Sequence, residues 1–252
     1  MNKTEIRLDS AAFAASLDRI FRENRLSQFV TGENTAALFD LTALMLRQNA
    51  VMNLTAITAP DEIILKHYAD SLTAAAYIPA GASVLDVGCG AGFPTLPLAI
   101  CRRDLCLTAM DATEKRVDYV RAAAKELGLD NVTAVCARAE DAAHGDDRER
   151  FDVVTARAVA PAAILCEYCL PLCRVGGLFL MMKAKSGREE LEMAKNAVAT
   201  LGGRITFSTE FQLVDTKSGG EPQTRLIAGI EKCGKTEKIY PRNNAQIKKK
   251  PL

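Results

Sequence analysis

The stretch Ser83-Val84-Leu85-Asp86-Val87-Gly88-Cys89-Gly90-Ala91-Gly92-Phe93-Pro94-Thr95 constrains this chain more than any other. An apolar run is cut off by three glycines at alternate positions and then by a proline. The pattern predicts a buried strand running into a tight loop and then a helix. Val84, Leu85 and Val87 suit a strand covered on both faces. Pro94 or Thr95 can open the helix, because proline fits where the missing N–H would have no partner anyway. The glycines let the backbone turn sharply and let a ligand lie directly on it.

Loops of this kind serve several ligands, and the neighbouring residues narrow the choice. The dinucleotide pattern wants a third glycine at position 93, for close helix packing, and this chain has Phe93 there. The phosphate-loop pattern needs a Lys-Ser or Lys-Thr pair after its second glycine, and none is present. Asp86, two residues before Gly88, places a carboxylate at the loop that suits a cationic ligand better than a diphosphate. A second apolar run from Leu105 to Met110 ends in Asp111, where an acidic residue can accept hydrogen bonds from both ribose hydroxyls. A glycine loop with carboxylates at the first and second strands and no phosphate clamp resembles the S-adenosylmethionine-dependent methyltransferases. Their cofactor is a nucleoside carrying a sulfonium.

From Ser83 onward, a short apolar run and a helical stretch alternate. Strand candidates are 83–87, 105–110, 131–136, 151–156, 177–183, 204–211 and 224–231, and Glu114 to Leu127 is the clearest helix between them. The expected fold is α/β, a mostly parallel seven-stranded sheet of Rossmann-like methyltransferase type with helices on both faces. Ligands of such sheets lie at the carboxyl ends of the strands, where Gly88, Gly90 and Asp111 fall. After the third run, Ala139 and Glu140 stand where backbone amides and a side chain could hold an adenine ring. Arg157 follows the fourth run, facing cofactor and substrate, and could also pair with a carboxylate such as Glu140. The fifth run ends in Lys183.

Residues 1–58 carry helical spacing and no glycine loop. Phe13, Leu17, Ile20 and Phe21 form one stripe, and Leu38, Leu41, Leu44, Met45 and Met52 form a second. Three regions are expected: an N-terminal helical extension at 1–58 packed on the core, a methyltransferase-like domain at 59–233, and a basic tail at 234–252. Asn53 and Thr55 could contact a substrate or cap the next helix. Pro60 and Asp61 then start a helix ending near Pro79 that carries Lys66, His67 and Asp70 together. His67 suits either catalysis or a hydrogen bond on the helix surface, the commoner use.

With 252 residues, 48% of them apolar, the chain can bury one good-sized core plus an appendage. No run of about eighteen apolar residues occurs, and the N-terminal Met-Asn-Lys-Thr-Glu lacks a signal peptide's apolar centre. A cytosolic protein with no membrane contact is expected, read here as a monomer. Cys166, Cys169 and Cys173 could suggest a metal site, yet their spacing is that of one helix face and no histidine or fourth ligand lies close. Core packing is the expectation, with no metal. Net charge is +1, but residues 234–252 hold six basic residues against Glu237 alone. That tail suits phosphates, or is a solvated segment that only aids solubility.

The combination of Asn53-Leu54-Thr55, Lys66-His67-Tyr68-Ala69-Asp70-Ser71-Leu72, Asp86 to Pro94, Lys115-Arg116, Arg138-Ala139-Glu140, Ala156-Arg157-Ala158 and Tyr240-Pro241-Arg242 to Pro251-Leu252 resembles one family. It is the bacterial glucose-inhibited division protein B family, the small-subunit ribosomal RNA guanine-N7 methyltransferases. The resemblance runs from about residue 30 to the C-terminus. It implies S-adenosyl-L-methionine against Gly88, Gly90 and Phe93, its ribose at Asp111, with Ala139, Glu140 and Arg157 completing the site. Family members usually have glycine where this chain has Thr95. The implied partner is 16S ribosomal RNA of the small ribosomal subunit. Its contact candidates are Asn53, Lys66, His67, Lys183, Arg242, Lys248, Lys249 and Lys250.

N7 of guanine has an in-plane lone pair and no proton, so it can attack a sulfonium methyl without a base. No catalytic residue is therefore expected, and the work is positioning and exclusion of water. A methyltransferase acting on a small molecule or protein would share the cofactor half and lack salt-dependent RNA affinity. A non-catalytic nucleoside- or RNA-binding module would bind the cofactor and transfer nothing.

Overall fold

The computed structural model describes residues 8–157, 159–217 and 221–252. The N-terminal Met-Asn-Lys-Thr-Glu run and Ala158 of the Ala156-Arg157-Ala158 segment lie outside the described residues. Among the described residues, seven strands form one sheet: β1 (Ser83–Val87), β2 (Cys106–Asp111), β3 (Val132–Cys136), β4 (Phe151–Arg157), β5 (Cys173–Lys183), β6 (Gly203–Leu213) and β7 (Gln223–Lys232). Their order is β3-β2-β1-β4-β5-β7-β6. β1 to β5 pair in parallel, and β7 runs antiparallel to both β5 and β6.

Each expected strand is present with small shifts at its ends. The largest is in β5, which begins at Cys173 rather than 177. Its pairing with β4 is irregular between Phe151 and Val153. Gly176, at φ +78°, and Gly177 lie in that irregular stretch, and a Cβ at Gly177 would stand 2.8 Å from the Asp152 carbonyl. Two glycines inside a strand hide its beginning from a reading based on apolar runs.

The helices, in chain order, are α1 (Ser10–Glu23), α2 (Gly32–Met52), α3 (Pro60–Ile63), α4 (Asp70–Leu72), α5 (Thr95–Cys101), α6 (Glu114–Glu126), α7 (Ala139–Ala142), α8 (Ala162–Cys169), α9 (Gly187–Met193), α10 (Lys195–Thr200) and α11 (Asn244–Lys249). Alternate residues of β1 enter different cores: Val84 joins the cluster under α1, α2 and α5, while Leu85 and Val87 join the one under α8 to α11. That two-sided burial is why β1 reads as a continuous apolar run. Leu17, Ile20, Phe21, Leu38, Leu41 and Met45 are fully buried. Burying each contributes about 2 kcal/mol. The two N-terminal helices are thus held by the same core as the sheet.

Residues 60–77 depart from a plain helix. Between α3 and α4 the backbone widens into π-helical turns over Ile64–Ala69, and a 3-10 stretch, Thr73–Tyr77, follows. Such turns are rare and concentrate at functional sites. Here they carry Lys66 and His67. Among the described residues no helix is long and apolar enough to cross a membrane.

Candidate active site

A cavity of about 1030 Å³ opens over the carboxyl ends of β1, β2 and β4. Gly88 turns the chain at φ +74°, and a Cβ there would lie 2.6 Å from Val159 Cγ2, so a side chain would be strained and would displace Val159. At Gly90, φ +56°, an added Cβ would meet only the Gly88 carbonyl, at 3.9 Å. Bare backbone therefore faces the cavity, as close approach of a ligand requires.

Asp111 is fixed from both sides of its loop. The Gly90 N–H donates to Oδ2 at 3.1 Å, and the Thr113 N–H donates to Oδ1 at 2.9 Å. Arg116 Nη1 stands 3.5 Å from Oδ2. A carboxylate has about four acceptor positions, so both oxygens can still accept from a ligand. Ala139 and Glu140, both buried, begin α7 at the end of β3 and line the same end of the cavity.

Asp86 does not face the loop as the sequence suggests. It is 2% exposed, its side chain turned to the start of α5, where Oδ2 accepts from the Thr95 hydroxyl at 2.6 Å and from the Thr95 N–H at 3.3 Å. Burial raises its carboxyl to about 6 against the opposing pull of the Thr95 hydrogen bond. Thr95 thus ties the first turn of α5 to β1.

The other end of the cavity is cationic. Arg157 Nη1 donates to Asp70 Oδ2 at 2.9 Å and to the Lys66 carbonyl at 3.0 Å. Its partner is Asp70, not Glu140, because the π-helical turns bring Asp70 beside the end of β4. Arg225 Nε reaches the other Asp70 oxygen at 3.1 Å. The Arg157 guanidinium lies 5.5 Å over the Phe93 ring, and His67 stacks on that ring at 4.4 Å and 7°. Thr55 Oγ1 is 3.0 Å from His67 Nε2. Burial, with the Arg157 charge second, pushes the imidazole down to about 3, so His67 is neutral.

The remaining candidates divide. Lys66 lines the cavity, paired with Glu62. Lys183 lines it too, bound to Glu190 at 2.6 Å. Asn53 is an exposed residue at the C-terminus of α2, left-handed at φ +51°, and lies away from the cavity; it ends a helix instead of starting the next. Arg242 is spent on Glu167, a carboxylate with no exposure, at 2.6 Å, and so is an anchor rather than a free phosphate contact. Lys248, Lys249 and Lys250 are exposed on α11 and just beyond it, with Lys248 at the cavity. The tail is docked, not solvated, since Ile247 is fully buried.

Cys166 and Cys169 lie on α8, while Cys173 has already passed into β5. All three are buried free thiols. Among the described residues no group of three or more His, Cys, Asp or Glu could hold a metal ion. Sequence reasoning missed Arg225, Tyr168 and Asn244. Arg225 had one usable signal, a cation opening the apolar run Leu226 to Ile230. Because β7 is antiparallel, its first residues lie at the carboxyl edge, with Leu226 opposite Lys183.

The sequence matches the family described as rRNA small subunit methyltransferase G over residues 34–217. Among relatives, the ribosomal RNA small subunit methyltransferase G of Brevibacillus brevis is 44% identical over 214 residues, 83% of this chain and 87% of that protein. The protein of that name from Lactobacillus delbrueckii subsp. bulgaricus is 43% identical over 213 residues, covering 82% and 87%. The one from Pelotomaculum thermopropionicum is 39% identical over 226 residues, covering 88% and 92%. Among solved structures, M. jannaschii TYW2 in complex with AdoMet superposes with a TM-score of 0.52 at 16% identity, covering 66% of this chain and 76% of the other. The Bacillus cereus O-methyltransferase in complex with SAH gives 0.51 at 18%, covering 76% and 91%. These two likenesses establish the fold. Identity of this extent over most of both sequences establishes more: the chain belongs to the rRNA small subunit methyltransferase G family.

Proposed function

We propose that this chain transfers the methyl group of S-adenosylmethionine to N7 of a guanine in 16S ribosomal RNA of the small subunit. The observation that carries the reading is one cavity with two unlike ends. Bare glycine backbone and the fixed Asp111 carboxylate form one; Arg157 and Arg225 on a shared Asp70 form the other. The first suits a nucleoside, with Asp111 accepting from the ribose hydroxyls and Glu140 from the amine of adenine. The second suits the phosphates that flank a target base.

When bound, the cofactor supplies an electrophilic methyl on a sulfonium. The protein's residues hold and exclude. Phe93, backed by His67, gives a flat apolar wall where the two ends meet. N7 carries no proton, so nothing has to be abstracted, and a neutral His67 fits that economy. Orientation of N7 toward the methyl can supply several kcal/mol. Lys248 at the cavity, with Lys249 and Lys250 exposed beside it, adds charge for the RNA backbone, which makes binding salt-sensitive.

The test uses radiolabelled S-adenosylmethionine and small ribosomal subunits from a strain lacking the modification. Label is expected on one guanine, at a site that becomes prone to reduction and strand cleavage, as 7-methylguanine is. Label on another base, on protein, or nowhere overturns the proposal.

A further inference from the structure

By charge the last residues read as a phosphate-binding or a solvated tail; in the fold Asn244 and Lys248 line the cavity. Arg242 grips the buried Glu167 three times: its N–H and Nε donate to Oε1 at 2.8 and 2.9 Å, and Nη2 donates to Oε2 at 2.6 Å. The Pro241 carbonyl accepts from His144 Nε2 at 2.8 Å, and the Tyr240 carbonyl accepts from Arg148 Nη1 at 2.9 Å. Ile247 closes the dock from the core side. The segment is thus pinned before and after Asn244.

Asn244 Nδ2 donates one hydrogen to Glu140 Oε1 at 2.9 Å and the other to the Tyr168 hydroxyl at 3.1 Å. Both of its N–H groups are used. Glu140 is 6% exposed, and its Oε2 accepts no hydrogen bond among the described residues. A buried carboxylate with one oxygen held by a neighbouring side chain presents the other to a ligand in one orientation.

We propose that Asn244 is a positioning residue of the nucleoside site: it holds the Glu140 carboxylate so that Oε2 meets the exocyclic amine of adenine, and α11 closes that end of the cavity. The inference rests on the reading of Glu140 as the adenine acceptor. It makes the C-terminal segment part of the cofactor site as well as a source of RNA-binding lysines.

The experiment is calorimetric titration of the full chain with S-adenosylhomocysteine and with S-inosylhomocysteine, in which a carbonyl replaces the amine. The unaltered protein should prefer the amine. Asn244→Ala should lower affinity for the adenosyl compound about tenfold, the scale of one hydrogen bond to a charged group, with little change for the inosyl compound. Asn244→Asp keeps the shape but swaps donors for acceptors, and should narrow the preference at least as much. The Arg242 and Ile247 anchors remain in both variants, so the segment stays docked. Combined with Glu140→Ala, Asn244→Ala should add nothing, because it acts through that carboxylate. If Glu140→Ala leaves the preference intact, the adenine reading fails and this proposal with it. If Glu140→Ala erases the preference while both Asn244 variants retain it, Asn244 only packs, and the proposal alone is overturned.

Discussion

The two ends of the cavity hold their shape by different means. At the nucleoside end, Gly88, Gly90 and Asp111 come from two adjacent strand-loop units, and backbone N–H groups aim the carboxylate. At the cationic end, Asp70 gathers Arg157 and Arg225 from 87 and 155 residues away, and buried charge holds them. A local motif can lose a ligand contact and stay folded. A gathered cluster cannot lose its hub without leaving two guanidinium groups facing each other, which is a stability penalty as well as a functional one.

The largest expected effect tests that separation. Asp111→Ala removes an acceptor for two ribose hydroxyls, each hydrogen bond to a charged group contributing roughly 1.5–3 kcal/mol. Affinity for S-adenosylhomocysteine should fall at least about a hundredfold, ~3 kcal/mol or more. RNA affinity at fixed salt should stay within about twofold, since Asp111 touches no element of the cationic end. Calorimetry and filter binding on one preparation would decide the matter; equal losses in both would mean the two ends act as one site.

The same contrast explains what was readable in the sequence. The glycine loop, Asp111 and Glu140 sit at strand ends in one alternating pattern, so periodicity and position alone locate them. The central strands β1, β4 and β7 were legible because a strand buried on both faces leaves a continuous apolar run, while the edge strands β3 and β6, largely unburied, were legible only from their place in the alternation. Asp86 was located in sequence but given the wrong partner: strand alternation turns it beneath the loop, where Thr95 meets it. Arg157 was likewise found and mispaired, because only the π-helical widening at Ile64–Ala69 carries Asp70 to it. Asn244 was invisible. A neutral side chain inside a basic run gives no hint that the run folds back 104 residues to reach Glu140. Contacts set by tertiary docking leave no period to detect.

Asp86 sharpens the comparison, because it is a buried charge at the end that otherwise relies on backbone. Its carboxyl is raised to about 6 by burial, above the value of 3.8 in an unfolded chain. Between those values the folded protein keeps a proton that the unfolded chain has released, so stability from this group falls as pH rises. The penalty is absent below about pH 4 and fully present above about pH 6. Asp86→Asn keeps an oxygen for the Thr95 hydroxyl and removes the charge. Its unfolding free energy should match the unaltered protein at pH 4 and exceed it by about 2 kcal/mol at pH 8. Denaturant titrations at both values would read this difference. An equal loss at both would mean that Asp86 acts through shape alone.

The smallest effect lies where the two ends meet. His67 is held near a pKa of about 3, far below the unfolded value of 6.5. From pH 6.5 down towards 3 the unfolded chain takes up a proton that the folded chain refuses. Stability from His67 is therefore complete above about pH 6.5 and declines as pH falls. An imidazole neutral throughout the working range cannot give the transfer step a titration, and N7 offers no proton for it to take. Single-turnover methylation should be flat from about pH 6 to 8. His67→Ala should lose about 1 kcal/mol of stability, the scale of its stack on Phe93, and less than about tenfold in rate. A rate inflection near pH 6.5 that vanishes in the variant, or a loss of several orders of magnitude with both ligands still bound, would make His67 a participant in the chemistry. The wall between the nucleoside and cationic ends would then be a third functional region, and a division into two ends would be too coarse.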